Sequence, residues 1–130
     1  MTKYRALFIT IIGLFLISCA PSPVQIGLEN FSYHNRARLQ FITLGMSKDD
    51  VLKAMDSNAK AKMKDGRILS NPYKTEAVVS VEGTTVEVLY YYTEMVSPED
   101  VGEDLLTPVV ISKGKVTGWG KDYLISLTGN

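Results

Sequence analysis

The feature that most constrains the fold is a pair of β-rich segments joined by a turn. "TEAVVSVE" (residues 75–82) and "TTVEVLYYYT" (residues 84–93) meet at Glu82-Gly83, and such a turn between β-rich runs predicts a hairpin. Alternate residues of a strand point to opposite faces. In the second segment, one face carries no charge and is therefore predicted to cover the core. Its residues are Val86, Val88, Tyr90 and Tyr92.

The opposite face of the same strand is predicted to meet water or a partner. It carries Leu89 and Tyr91, and a third predicted strand, "TPVVIS", adds Val110. Tyrosine is enriched at binding hot spots, so we predict that these three residues form a partner-contact patch. The alternatives are ordinary scattered surface residues, or coverage by residues 122–127.

Two more segments complete the predicted sheet and its C-terminal flank. After a turn at Lys113-Gly114, "KVTGWG" predicts a fourth strand. Trp119 between two glycines that permit close backbone approach is typical of a core residue, and a ligand-stacking site is the alternative. The tail "KDYLISL" fits a strand or a helix. Residues 56–74 are predicted to be mostly loop, with turn signals at Asp65-Gly66 and Asn71-Pro72.

The clearest helix signal is "GMSKDDVLKAM", residues 45–55. Ser47 is a good N-cap, and Asp50 three residues later gives a capping box with a short acid. The apolar side chains that follow share one face, namely Val51, Leu52 and Met55. The pattern predicts a helix over residues 48–55 that covers the uncharged face of the sheet.

A second short helix is predicted over residues 36–43, with Asn35 as its cap. Together with the strands, the two helices indicate an α+β fold. In this fold, two short helices pack on one face of a three- to four-stranded antiparallel sheet.

The N-terminus has a different character from the rest of the chain. Lys3 and Arg5 precede the apolar run "ALFITIIGLFLI", which is too short to cross a bilayer core of about 30 Å comfortably. A charged start, a short apolar run and small residues are typical of a secretory signal peptide. Cys19, the one cysteine of the chain, follows in "LISC", which resembles a bacterial lipobox.

The lipobox resemblance implies cleavage before Cys19 and lipid attachment to its thiol. Ala20, rather than Asp, at the next position implies an outer-membrane location facing the periplasm. Pro21 and Pro23 disfavour a helix. We therefore expect a signal peptide over residues 1–18, the lipidated Cys19 and a flexible tether over residues 19–34, and an α+β domain over residues 35–130.

The order of lipobox, tether, "LGMSKDDVLKAM" and a β-rich half ending in "SKGKVTGWG" resembles the SmpA/OmlA family of small bacterial outer-membrane lipoproteins, the BamE-like group. The residues that carry the likeness are Gly45-Met46-Ser47, Val51, Met55 and Lys113-Gly114-Lys115-Val116. Asp56-Ser57-Asn58 stands where the family usually continues into Gly-x-Pro, which indicates a divergent member. The resemblance implies a membrane-anchored accessory protein that contacts an envelope protein during outer-membrane assembly or maintenance.

No motif predicts an enzyme. The only histidine, His34, lies in the predicted tether, and no Cys/His set has the spacing of metal ligands. We therefore expect no catalytic residue, cofactor, metal or small-molecule substrate. Lys and Arg equal Asp and Glu at 14 each, a balance that does not favour nucleic acid. The alternative function is a periplasmic ligand-binding or inhibitory module.

Two charged clusters remain. The acidic cluster comprises Glu99, Asp100, Glu103 and Asp104. Solvation and the capping of a helical turn that begins at Ser97-Pro98 explain it, with a cation site as the alternative. The basic run is predicted to be a solvated loop, with contact to phosphate or lipid headgroups as the alternative. It comprises Lys60, Lys62, Lys64 and Arg67.

Overall fold

The computed structural model describes residues 25–94 and 101–130. The elements are β1 (Gln25–Ile26), α1 (Leu28–Leu39), α2 (Lys48–Ala54), β2 (Lys60–Lys62), β3 (Ile68–Ser70), β4 (Lys74–Val79), β5 (Thr85–Tyr92), a 3-10 turn (Glu103–Leu105), β6 (Leu106–Ser112), β7 (Lys115–Trp119) and α3 (Lys121–Thr128). The predicted α+β class is confirmed. Among the described residues, no helix is long and apolar enough to cross a membrane.

The main sheet has four antiparallel strands in the order β4-β5-β6-β7. The predicted hairpin is confirmed, because Val78 pairs with Val86 and Val79 pairs with Thr85 on either side of the turn. The predicted third and fourth strands correspond to β6 and β7. The tail that fitted a strand or a helix forms α3.

A second, small sheet takes two of its strands, β2 and β3, from residues 56–74, which were predicted to be mostly loop. Its order is β1-β2-β3, with β1 parallel and β3 antiparallel to β2. Each strand has three residues or fewer, which is too short for alternation to stand out in the sequence. Ala61 and Leu69 turn inward and are buried.

The N-terminal boundary of the domain was predicted too late in the chain. The helix expected over residues 36–43 is α1, which begins at Leu28 with Gly27 as its N-cap. Asn35 is a buried residue within this helix and does not cap it. Phe31 is fully buried. The part of the expected tether from residue 25 onward is therefore folded.

Helix α2 begins as predicted. The Ser47 hydroxyl oxygen accepts a hydrogen bond from the Asp50 backbone N–H at 3.2 Å and donates one to the Asp50 carboxylate at 2.7 Å. The predicted packing of this helix is wrong, however. Val51 and Met55 lie in a buried cluster with Leu89 and Tyr91, on the face opposite to the one predicted.

The uncharged face of β5 is nevertheless buried as well. Two helices, α1 and α3, and the small sheet cover this face. The cluster includes Phe31 from α1, Ala61 from β2 and Leu124 from α3, together with Val86, Val88, Tyr90 and Tyr92. Helices thus cover the main sheet on both faces.

Candidate functional site

The predicted contact patch is not exposed. Leu89, Tyr91 and Val110 have 1%, 0% and 0% of their surfaces exposed. Leu89 and Tyr91 lie beneath α2, whereas Val110 pairs with Val88 and belongs to the cluster on the other face. The prediction that these residues meet a partner is therefore wrong, because α2 covers two of them and the third faces the opposite core.

Burial of Tyr91 gives a prediction with an unusual sign. Its hydroxyl has no hydrogen-bond partner among the described residues, and a buried unpaired polar group costs about 1–3 kcal/mol. Tyr91→Phe is therefore expected to raise the free energy of unfolding by about 1 kcal/mol, measured by urea denaturation. Tyr90→Phe is the control, because the Tyr90 hydroxyl donates to Glu76 at 2.5 Å and its removal should lower stability. A loss of stability in Tyr91→Phe would contradict the conclusion that the Tyr91 hydroxyl is buried without a hydrogen-bond partner.

A groove of about 610 Å³ lies between α3 and the main sheet. We call it the α3 groove. Strands β4, β5 and β6 supply one side, and α3 supplies the other. It is lined by Glu76, Val78, Val79, Tyr90, Glu103, Asp104, Leu106, Pro108, Lys121, Leu124, Ile125, Thr128 and Asn130. This volume lies within the range of ligand pockets in proteins.

Gly118 lets α3 approach the sheet. A Cβ atom at this position would lie 2.5 Å from the Tyr123 ring, so any larger residue would push that ring away. The close-approach role predicted for a glycine beside Trp119 is therefore correct at Gly118. The predicted core position of Trp119 is wrong, because 38% of its surface is exposed. The C-terminal end of α3 contacts the β4–β5 turn through a hydrogen bond of 2.9 Å from the Val81 N–H to the Leu127 carbonyl.

A charged network borders the groove. The Lys74 ammonium donates to Glu103 at 2.6 Å and to Glu76 at 3.2 Å, and lies 4.4 Å from the centre of the Tyr90 ring. The Glu103 bond raises the pKa of Lys74, and the Tyr90 hydroxyl lowers the pKa of the Glu76 carboxyl. These groups are therefore held in their charged forms near neutral pH, an arrangement that suits binding more than proton transfer.

Acids outnumber bases around the groove. Glu76, Glu103 and Asp104 face two cations, Lys74 and Lys121. Both cations already have oxygen partners, since the Lys121 ammonium also donates to the Asp104 carbonyl. The surplus negative charge beside apolar walls suits a ligand that combines apolar groups with a positive charge. No sequence pattern indicated this site, because its residues come from five separate elements, namely β4, β5, the 3-10 turn, β6 and α3.

His34 lies in a second polar cluster, on α1. Its Nε2 atom lies 3.3 Å from the Asp56 carboxylate and accepts a bond of 2.8 Å from the Arg38 Nε–H. Arg38 also donates to the Ala54 carbonyl at 2.8 Å. These contacts connect α1 to the end of α2, so a structural role explains the cluster.

Other sequence candidates are distributed as follows. Glu99 and Asp100 of the acidic cluster lie outside the described residues, as does Cys19, whereas Glu103 and Asp104 border the α3 groove. The Ser97-Pro98 helical turn also lies outside them. Across residues 25–94 and 101–130, no group of three or more His, Cys, Asp or Glu side chains could hold a metal ion.

The described residues thus define a small α+β protein with an open groove beside its C-terminal helix. Residues 16–125 match the model of a family described as "Protein of unknown function (DUF3192)", and the chain belongs to this family. The matched range includes Cys19 and ends within α3. No curated protein and no solved structure matches the chain. The SmpA/OmlA likeness stays a prediction.

Proposed function

We propose that this protein is a lipid-anchored lipoprotein of the outer membrane, facing the periplasm, whose domain binds an envelope protein. Its role is accessory, in the assembly or maintenance of the outer membrane. The observation that carries the binding part is the α3 groove. The sequence around Cys19 carries the anchoring part.

The anchor is supported by the position of the only cysteine. Cys19 follows directly on an apolar run and ends the segment "LISC". One acyl chain gives only reversible membrane binding, whereas two or more chains give stable anchoring. The lipobox resemblance implies a diacylglyceryl group on Cys19, which brings two acyl chains. Lipidated Cys19 would therefore hold the domain stably at the membrane.

The binding role is supported by exposed apolar side chains at the groove. Val79 on β4 is 62% exposed, and Ile125 on α3 is 52% exposed. β4 is an edge strand of the main sheet, and an edge strand can accept an extended partner segment. A segment with apolar side chains and a basic residue would complement both the walls and the acids of the groove.

A second candidate is a periplasmic module that binds a small ligand. The groove volume of about 610 Å³ favours it. In that case a ligand would occupy the groove directly, and no protein would be crosslinked there.

The test uses a photoreactive amino acid in the lipidated protein in intact envelopes. At Ile125 it should crosslink one envelope protein, and Val79→Glu should abolish that product. Phe41, which is also exposed and apolar but lies outside the groove, provides the matched control and should give no such product. Cys19→Ala should leave the chain unprocessed or released from the membrane.

Three outcomes would contradict the proposal. Equal crosslinking from Ile125 and Phe41 would remove the groove from the interaction. A product that survives Val79→Glu would do the same. A Cys19→Ala variant that still fractionates as a processed outer-membrane protein would contradict the lipid anchor.

A further inference from the structure

The basic run lies on one small β-hairpin. We call β2, β3 and their connecting turn the basic hairpin (residues 60–70). Lys62 and Lys64 are exposed and Lys60 is half-buried. None of these three lysines forms an ion pair with another residue of the described chain. Arg67 pairs with Asp65 at 2.6 Å.

The hairpin has distinct inner and outer faces. Ala61 and Leu69 pair across the strands and point into the core. Lys62 pairs with Ile68 on the outer face, where Ile68 is exposed. The outer face therefore presents positive charge together with one apolar side chain.

The proposed lipid site lies just before β1 in the chain, and β1 is the strand that pairs with this hairpin. β1 pairs with β2 so that Gln25 lies opposite Lys60. Only six residue steps separate Cys19 from Gln25, and at most about 3.3–3.6 Å per residue they span about 20 Å. A membrane that holds lipid on Cys19 must therefore come within about 20 Å of β1.

We propose that the basic hairpin docks on the membrane surface and contacts anionic lipid headgroups. This inference rests on the proposed anchor at Cys19, which supplies membrane affinity, while the hairpin sets the orientation of the domain. The hairpin itself carries four basic residues and one acid, Asp65, and Glu29 lines the same shallow pocket as Lys62 and Lys64. The charge of the hairpin itself is therefore positive.

The short connection makes such weak attraction effective. Interactions between exposed charges are screened beyond about 10 Å at 0.1 M salt. The hairpin would therefore not be attracted to a membrane at a greater distance. Tethering at a short distance raises the effective concentration of the surface. Lysine is a flexible point charge, which suits a fluid array of headgroups better than one fixed phosphate.

The test measures which side of the lipidated protein faces the bilayer. A fluorophore is placed at Ile68→Cys on the hairpin or at Glu82→Cys in the β4–β5 turn, and lipids with a quenching headgroup are included. Cys19 is the only native cysteine, so once it is lipidated the label is unique. In vesicles of phosphatidylglycerol and phosphatidylcholine, the label at position 68 should be quenched more strongly than the label at position 82.

Charge variants test the cause. Each basic residue near an anionic surface raises the equilibrium constant for membrane binding by about five-fold. Lys62→Ala with Lys64→Ala should therefore lower the ratio of docked to undocked domain by about 25-fold. Lys113→Ala with Lys115→Ala removes equal charge from the β6–β7 turn and should change nothing. Vesicles of phosphatidylcholine alone should give equal quenching at both labels.

Several results would overturn this orientation. One is equal quenching of both labels on anionic vesicles, and another is quenching that survives Lys62→Ala with Lys64→Ala. Release by inorganic phosphate but not by chloride of equal ionic strength would indicate a phosphate pocket instead. The mass of the purified protein reports lipidation separately, so a missing acyl mass refutes the anchor and not the orientation.

Discussion

Replacing Phe31 with alanine is expected to lower the free energy of unfolding by about 3–5 kcal/mol. The Phe31 side chain is fully buried on the inner face of α1. It lies in the same cluster as Val88 and Tyr92 of the main sheet and Ala61 of the small sheet. Its removal would leave a cavity among three elements, which urea denaturation should detect as a lower midpoint.

Tyr33→Ala on the same helix is the matched control. Tyr33 is 66% exposed, so its truncation should change stability by no more than about 0.5 kcal/mol. Similar small effects of both substitutions would mean that α1 is not docked on the sheet. In that case the flexible tether expected from the sequence would extend to about residue 34 after all.

Local signals in the sequence were sufficient for several elements. The turn at Glu82-Gly83 and the alternation in "TTVEVLYYYT" predicted β4 and β5, and Ser47 with Asp50 predicted the start of α2. Each of these signals depends on neighbouring residues alone. These elements could therefore be predicted without knowledge of contacts between residues far apart in the sequence.

The burial of both faces of β5 could not be predicted in the same way. Glu87 was the reason for assigning the Leu89 face to the surface. In the structure, the Lys48 ammonium at the start of α2 lies 2.5 Å from the Glu87 carboxylate. Helix α2, which covers this face of β5, thus also supplies the ion-pair partner of Glu87, the only charged residue on that face of the strand. Such a contact joins residues 39 positions apart, and no sequence period reports it.

The α3 groove was missed for a related reason. Its apolar residues come from β4, β6 and α3, and its acids come from β4 and the 3-10 turn. Alternation alone assigned Leu89 and Tyr91 to an exposed contact surface, whereas α2 covers both residues. The tail of the chain also fitted a strand or a helix, so the element that forms one wall was undecided.

The N-terminal part of α1 was not predicted, because the buried face of this helix is partly polar. Phe31, Ser32 and Asn35 are its buried residues, so two of the three side chains look like surface residues in the sequence. A buried polar side chain is stable only when it is hydrogen-bonded. The partners of Asn35 lie far along the chain, at Asn71 and Tyr92.

Asn35→Ala is therefore expected to lower stability by about 2–4 kcal/mol. The Asn35 amide donates to the Tyr92 carbonyl at 2.8 Å and to the Asn71 side-chain oxygen at 3.0 Å. Asn71 donates back to Asn35 at 2.6 Å and to the Met55 carbonyl at 2.8 Å. The pair thus connects α1, the end of α2 and β5, and truncation leaves buried groups without partners.

A double-mutant cycle with Asn71→Ala separates the pair from its surroundings. Residues that share a hydrogen-bond network show coupling of about 0.5–3 kcal/mol, and two reciprocal bonds place this pair near 2 kcal/mol. Asn30→Ala on the exposed face of the same helix should change stability by less than about 0.5 kcal/mol. Additive effects of Asn35→Ala and Asn71→Ala would show that the two amides act independently. They would then not fix how α1 sits on the sheet, and the packing of Phe31 would have to position the helix alone.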